Sequence, residues 1–84
     1  MPPLTLTPAE RRCCDLLIDG CHNDEIAKRA GITLRTVKHH FNRAFARNGI
    51  SDGLRRIRLA VRYYYETNGG FENADWTNPA RAAE

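Results

Sequence analysis

Four times along the chain, a residue suited to start a helix opens a run of helical periodicity that closes on glycine. That punctuation points to a small all-α domain. In "TPAE", Thr7 is a good N-cap, Pro8 suits the first helical position and Glu10 completes a capping box. The first helix is expected to run to about Asp19 and stop at Gly20. It turns Cys13, Cys14, Leu17 and Ile18 inward, with Leu6 packing against its start. A second helix starts at His22 or Asn23, runs to Ala30 and presents Ile26, Ala27 and Ala30. Gly31 supplies the left-handed exit. Thr33 caps a third helix from Leu34 to about Asn48, closed by Gly49. Ser51 caps a fourth from Asp52 to about Thr67, with Gly69 and Gly70 as its stop. Period-two apolar alternation is too short anywhere for a convincing strand.

Eighty-four residues make one domain, placed at residues 4–68. Residues 69–84 lack periodicity and are expected to form an irregular or disordered tail, from which Phe71 and Trp76 could dock on the domain. No apolar run approaches the roughly 18 residues of a membrane span. The opening "MPPLTLTPAE" has neither the basic nor the apolar region of a secretory signal. A cytoplasmic protein with no membrane partner is the simplest reading. Cys13, Cys14 and Cys21 fit no zinc spacing and read as small buried hydrophobes, so neither a metal nor a cofactor is expected.

Charge separates the chain into three parts. Residues 1–32 hold four Lys/Arg against five Asp/Glu, and residues 66–84 hold one against four. Residues 33–65 hold eight Lys/Arg against a single acid, Asp52. A basic middle of this kind suits a surface made for phosphate.

Helical spacing on residues 34–48 sorts that charge onto one side. Leu34, Val37, Phe41, Ala44 and Phe45 form the inward stripe, and Arg35, Lys38, His39, Asn42 and Ala46 form the outward one. The adjacent histidines therefore separate. His40 sits at the edge of the core and His39 faces out, which argues against a shared metal or proton relay. Arg35, Lys38, His39 and Asn42 are candidate base-contacting residues, because Lys and Arg donate to guanine and Asn pairs with adenine in a major groove. Thr33, Thr36, His40, Arg43 and Arg47 lie where they can pack the helix or grip phosphate. With Ala27 small enough for a close crossing and Gly31 at the turn, "EIAKRAGITLRTVK" reads as a helix-turn-helix.

"LTPAERRCCDLLIDG", "NDEIAKRAGITLRTVKHH" and "GISDGLRRIRLA" resemble the LuxR/GerE-type (NarL-like) DNA-binding domain over about residues 4–65. The resemblance implies four helices, with the third in the major groove and the fourth helping to form a homodimer. It assigns Lys38, His39 and Asn42 to base contacts, and Thr33, Thr36 and His40 to capping, packing or backbone contacts. Leu54, Ile57, Val61, Tyr64 and Tyr65 would be divided between core and dimer seam, with Ile57, Val61, Tyr64 and Tyr65 as the interface candidates. Several positions depart from the family pattern. Cys13 and Cys14 stand where larger aliphatics are usual. His22 replaces a Ser or Thr cap, with Asn23 as a substitute, and Asn48 replaces the leucine before the glycine. Gly53 and the basic turn "LRRIR" alter the start of the fourth helix.

The expected function is sequence-specific binding of double-stranded DNA by a homodimeric transcription regulator, with RNA polymerase as a further candidate partner. The initial methionine and the absence of a tag favour a standalone regulator over a fragment. The alternative is a protein-interaction module of the same fold acting on a polymerase or sigma subunit or on another regulator, suggested by "RLAVRYYY". A kinship with the promoter-reading region of sigma factors is a third reading. No nucleophile–base pair, paired-carboxylate pocket or phosphate-cradling glycine loop is present, so no catalytic residue is assigned and the chain is read as a non-enzyme.

Overall fold

The computed structural model describes residues 3–68, which form four helices: α1 (Pro8–Ile18), α2 (Asn23–Ala30), α3 (Leu34–Arg47) and α4 (Arg55–Thr67). The expected all-α class holds. Three of the helices end in one repeated device. The residue after the closing glycine sends its N–H back five positions, Cys21 to the Leu16 carbonyl (3.1 Å), Ile32 to Ala27 (3.0 Å) and Ile50 to Phe45 (2.9 Å). This is the Schellman pattern, and it needs a left-handed residue just before the donor. Gly31 supplies it between α2 and α3 at φ +70, where any side chain would be strained. Because Cys21 and Ile50 are buried and Ile32 half-buried, each exit also sends an apolar residue inward.

The starts are set by side chains. Thr7 accepts from the Glu10 N–H (3.1 Å), and Glu10 returns the bond to the Thr7 N–H (3.1 Å). At α2 the Glu25 carboxylate accepts from the His22 N–H (3.0 Å). Asn23, expected as a substitute cap, is instead the first residue of the helix, and its side chain accepts from Arg56. Thr33 caps α3 through the Thr36 N–H (3.1 Å).

The fourth helix begins later than the sequence pattern suggests. Ser51 and Asp52 lie in a turn, where Asp52 accepts from the Leu54 N–H (3.0 Å) and pairs with Arg58 (2.7 Å). The aspartate's affinity for a turn N–H, together with Gly53, defers the helix to Arg55.

The core combines Cys13, Cys14 and Leu17 of α1, Ile26 and Ala27 of α2, Val37, Phe41, Ala44 and Phe45 of α3, and Leu59 and Tyr63 of α4. Leu4, Cys21 and Ile50 complete it, with Leu6 and Ile18 packed at its edge. Two expectations are corrected. Leu34, placed in the inward stripe, is 40% exposed at the first position of α3, one turn ahead of the buried Val37. On α4 none of the five seam-or-core residues reaches the core. Leu54, Ile57, Val61 and Tyr64 are exposed and Tyr65 is half-buried, whereas Leu59 and Tyr63, one turn apart, face inward.

The extended segment before α1 is tied at two adjacent residues. Thr5 exchanges two hydrogen bonds with the Asn48 side chain (2.7 and 3.0 Å), and the Leu4 N–H lies on both Glu66 carboxylate oxygens (3.0 and 2.9 Å). The expected tail lies outside the described residues, as do Phe71 and Trp76.

Candidate nucleic-acid interface

Val37, Phe41, Ala44 and Phe45 anchor α3, so the opposite side of that helix must face solvent. Arg35, Lys38, His39, Asn42, Arg43 and Ala46 are all exposed there. Among the described residues no carboxylate pairs with Arg35, Lys38 or Arg43, since the ion pairs are Arg47–Glu10 and Arg58–Asp52. The face presents exposed donors that no carboxylate among the described residues engages.

The two histidines diverge as their spacing predicts. His39 is exposed, His40 is half-buried, and their rings sit 6.3 Å apart at 52°. No group of three potential metal ligands occurs among the described residues. Burial pushes the Cys14 thiol up to about 12 and raises Cys13 as well, which keeps both as neutral thiols.

At the start of α3 the Thr33 and Thr36 hydroxyls are hydrogen-bonded to each other at 2.9 Å. Both are held at the helix N-terminus, where the unpaired N–H groups attract anions. The residues expected at the phosphate flank divide. Thr33 and Arg43 are exposed and Thr36 and His40 half-buried, whereas Arg47 is committed inward. Its Nη1 donates to the Glu10 carboxylate and to the Thr5 carbonyl.

Glu10 is the buried acid of the domain, its side chain 2% exposed. Burial alone would raise its pKa. The Arg47 hydrogen bond, the Thr7 N–H and the charges of Arg47 and His40 outweigh burial and hold the carboxyl below its usual value. Sequence reading assigned Glu10 to capping alone. Its second role leaves no local signal, because Arg47 lies 37 positions away.

The start of α4 carries a feature the sequence registered only as a basic turn. Arg55 lies over the Phe45 ring at 5.0 Å and Arg56 over Phe41 at 5.4 Å. Arg56 also donates to Asn23 and to the Cys21 carbonyl (2.7 Å), and burial lowers its pKa. These contacts bind the foot of α4 to the start of α2 and the inner face of α3. Further along, Tyr63 donates to Asp15 at 2.5 Å, and burial with that bond raises the phenol to about 12.

Outside the core, Leu54 (57%), just before α4, and Ile57 (60%), Val61 (44%) and Tyr64 (50%) of α4 are exposed apolar residues spaced three or four positions apart. Val61 and Tyr64 line a groove of about 270 Å³ together with Leu17, Ile18, Ala60 and Tyr65. The described helices are none of them long and apolar enough to cross a membrane.

Residues 4–59 match the family model GerE, described as "Bacterial regulatory proteins, luxR family". Two relatives named "Putative HTH-type transcriptional regulator", from Mycobacterium bovis and Mycobacterium tuberculosis, are each 34% identical over 58 residues. That stretch covers 69% of this chain and 7% of each relative, so the chain spans a small part of the proteins it matches. No solved structure matches it. With the family model running from the segment before α1 into α4, across the whole of the α2–turn–α3 unit, the chain belongs to the luxR family of bacterial regulatory proteins through its helix-turn-helix domain.

Proposed function

We propose that the chain is a sequence-specific double-stranded DNA-binding transcription regulator, with α3 lying in the major groove and a homodimer formed through α4. The observation that carries this reading is the outer face of α3, where Arg35, Lys38, His39 and Asn42 are exposed and have no acidic partner among the described residues. Lys38 and Arg35 donate to guanine O6 and N7, Asn42 pairs bidentately with adenine, and His39 reads the neighbouring edge. Thr33, Thr36, His40 and Arg43 hold the backbone and set the register. Arg47, already bonded to Glu10, supports the helix from behind. The exposed side of α4 supplies the dimer seam. A second copy meeting Ile57, Val61, Tyr64 and Tyr65 across a two-fold axis would bury this apolar run and place two α3 helices on successive turns of one groove.

The test is selection of fragments from genomic DNA at low and at physiological salt. A short, nearly palindromic site that survives the higher salt is the expected result. Diffuse binding erased by salt would mean attraction without readout. A second reading, a module docking on a polymerase or sigma subunit or another regulator, draws on the same α4 face. Under it Tyr64→Ala would matter more than Lys38→Ala.

A further inference from the structure

Lys38 and Asn42 do more than face outward. They form one wall of a cavity of about 240 Å³ that opens between α3 and the foot of α4. Phe41 and Phe45, stacked at 6.2 Å and 16°, make its floor, and Arg55, Arg56 and Asn23 make the opposite wall. Three cations line this space and no carboxylate does.

The two arginines are fixed in different ways. Arg56 has two donors engaged, by Asn23 and the Cys21 carbonyl, so it acts as wall and as standing positive charge. Arg55 is exposed, forms no ion pair among the described residues, and is steadied by the Phe45 ring. An aromatic face orients a guanidinium without neutralising it or occupying its N–H donors. A carboxylate partner would do both, as Asp52 does for Arg58 one turn further on (2.7 Å). Arg55 is thus held in place with its fork unused.

We propose that this cavity is a phosphate pocket in which Arg55 and Lys38 clasp one phosphodiester of the strand flanking the bases read by α3. The pocket rests on the DNA-binding reading above and adds to it a contact from α4, outside the helix-turn-helix. Lys38 then serves two partners, a base edge and the neighbouring phosphate. Arg56 and the two phenylalanines position Arg55.

The experiment is the salt dependence of affinity for a short duplex, followed by anisotropy, for the parent, Arg55→Gln, Arg55→Lys and Arg58→Gln. Each neutralised phosphate contributes about 0.9 to the slope of log K against log salt. Arg55→Gln leaves Lys38 alone on that phosphate, and is expected to lower the slope by up to about that amount and to weaken binding several-fold at low salt. Arg55→Lys should keep the slope, since a point charge still displaces a counterion. Arg58→Gln removes the same formal charge from the same helix but outside the cavity, and should leave the slope unchanged.

A parent-like slope in Arg55→Gln, or equal losses in Arg55→Gln and Arg58→Gln, would overturn the pocket while leaving DNA binding intact. A parent that binds no duplex would overturn the DNA-binding reading and the pocket with it. Inorganic phosphate added to DNA-free protein at constant ionic strength should leave the Arg55 Nε–H resonance in place. A saturable shift there would assign the cavity to free phosphate instead. All four proteins should share one circular dichroism spectrum, because Arg55 and Arg58 lie outside the core.

Discussion

Replacing Arg47 by alanine isolates the buried charge that joins α1 to α3. Glu10 would keep its bond from the Thr7 N–H and lose the guanidinium that balances it. Removing one partner of a fully buried pair costs about 3–5 kcal/mol. Arg47 is 29% exposed, so water can partly replace it, and we expect about 2–3 kcal/mol at neutral pH. A domain of this size has about 3–10 kcal/mol in total, so the loss is a large fraction of it. With a urea slope near 1 kcal/mol/M, the midpoint should fall by about 2–3 M.

The pH dependence makes the prediction specific. In the parent the Glu10 carboxyl is held below its ordinary value. Its ionised form therefore contributes stability above the unfolded pKa, lost as pH falls through the folded one. Without Arg47 only the Thr7 N–H and the His40 charge still oppose burial, so the Glu10 pKa rises relative to the parent. The stability contributed by ionised Glu10 above its unfolded pKa is correspondingly smaller in the variant. The stability difference between parent and variant should be greatest near pH 7 and shrink towards about pH 4. Urea melts of both proteins by circular dichroism at each pH measure it. A difference that stays constant with pH, or remains below about 0.5 kcal/mol, would refute the claim that Glu10 is a charge buried against Arg47.

Further outcomes follow from the same geometry. Lys38→Ala and Asn42→Ala should each weaken operator binding by about 1–3 kcal/mol without moving the melting temperature, read by anisotropy beside a thermal melt. Gly31→Ala should cost about 1–2 kcal/mol in a urea melt, because its φ of +70 strains any side chain even though nothing crowds the site. Tyr63→Phe should lose about 1 kcal/mol by removing the bond to Asp15. In the parent the Tyr63 phenol, raised to about 12, should stay neutral in the folded state, so its contribution is intact below the unfolded value near 10 and disappears as pH climbs to the folded one, visible in the tyrosinate absorbance. Val61→Glu should leave the fold unchanged and abolish self-association in sedimentation velocity, the residue being 44% exposed.

What the sequence made legible is what short-range rules govern. Thr7, Glu10, Gly31, Thr33 and Gly49 act within a few residues of themselves, and the helices they bound lie where expected. The facing of α3 was equally readable, because a stripe of Val37, Phe41, Ala44 and Phe45 leaves one alternative for Lys38 and Asn42. The start of α4 was not, since Ser51 and Asp52 suit a turn as well as a cap. Nor was the commitment of Arg47 to Glu10, of Arg56 to Asn23, or of Asn48 to Thr5, pairs separated by 37, 33 and 43 positions. Charge counting treats every arginine as available to phosphate. Only the packing separates Arg47 and Arg56, bound inward, from Arg35, Arg43 and Arg55.

That separation bears on how a thin core carries a binding surface. Cys13 and Cys14 are fully buried small side chains, and they contribute less buried apolar area than leucines would. The polar ties run through other side chains. Glu10–Arg47 and Asn48–Thr5 fasten α1 and the segment before it to the end of α3. Glu66–Leu4 and Tyr63–Asp15 fasten the same region to α4, and Arg56–Asn23 joins α4 to α2. None of them engages the outer face of α3. Arg35, Lys38, His39 and Asn42 are therefore left out of the interactions that hold the domain together, and substitutions among them should alter what is read without altering whether the chain folds. A helix face can be retuned to new bases only when stability does not depend on it, and here the stabilising contacts have been placed everywhere else.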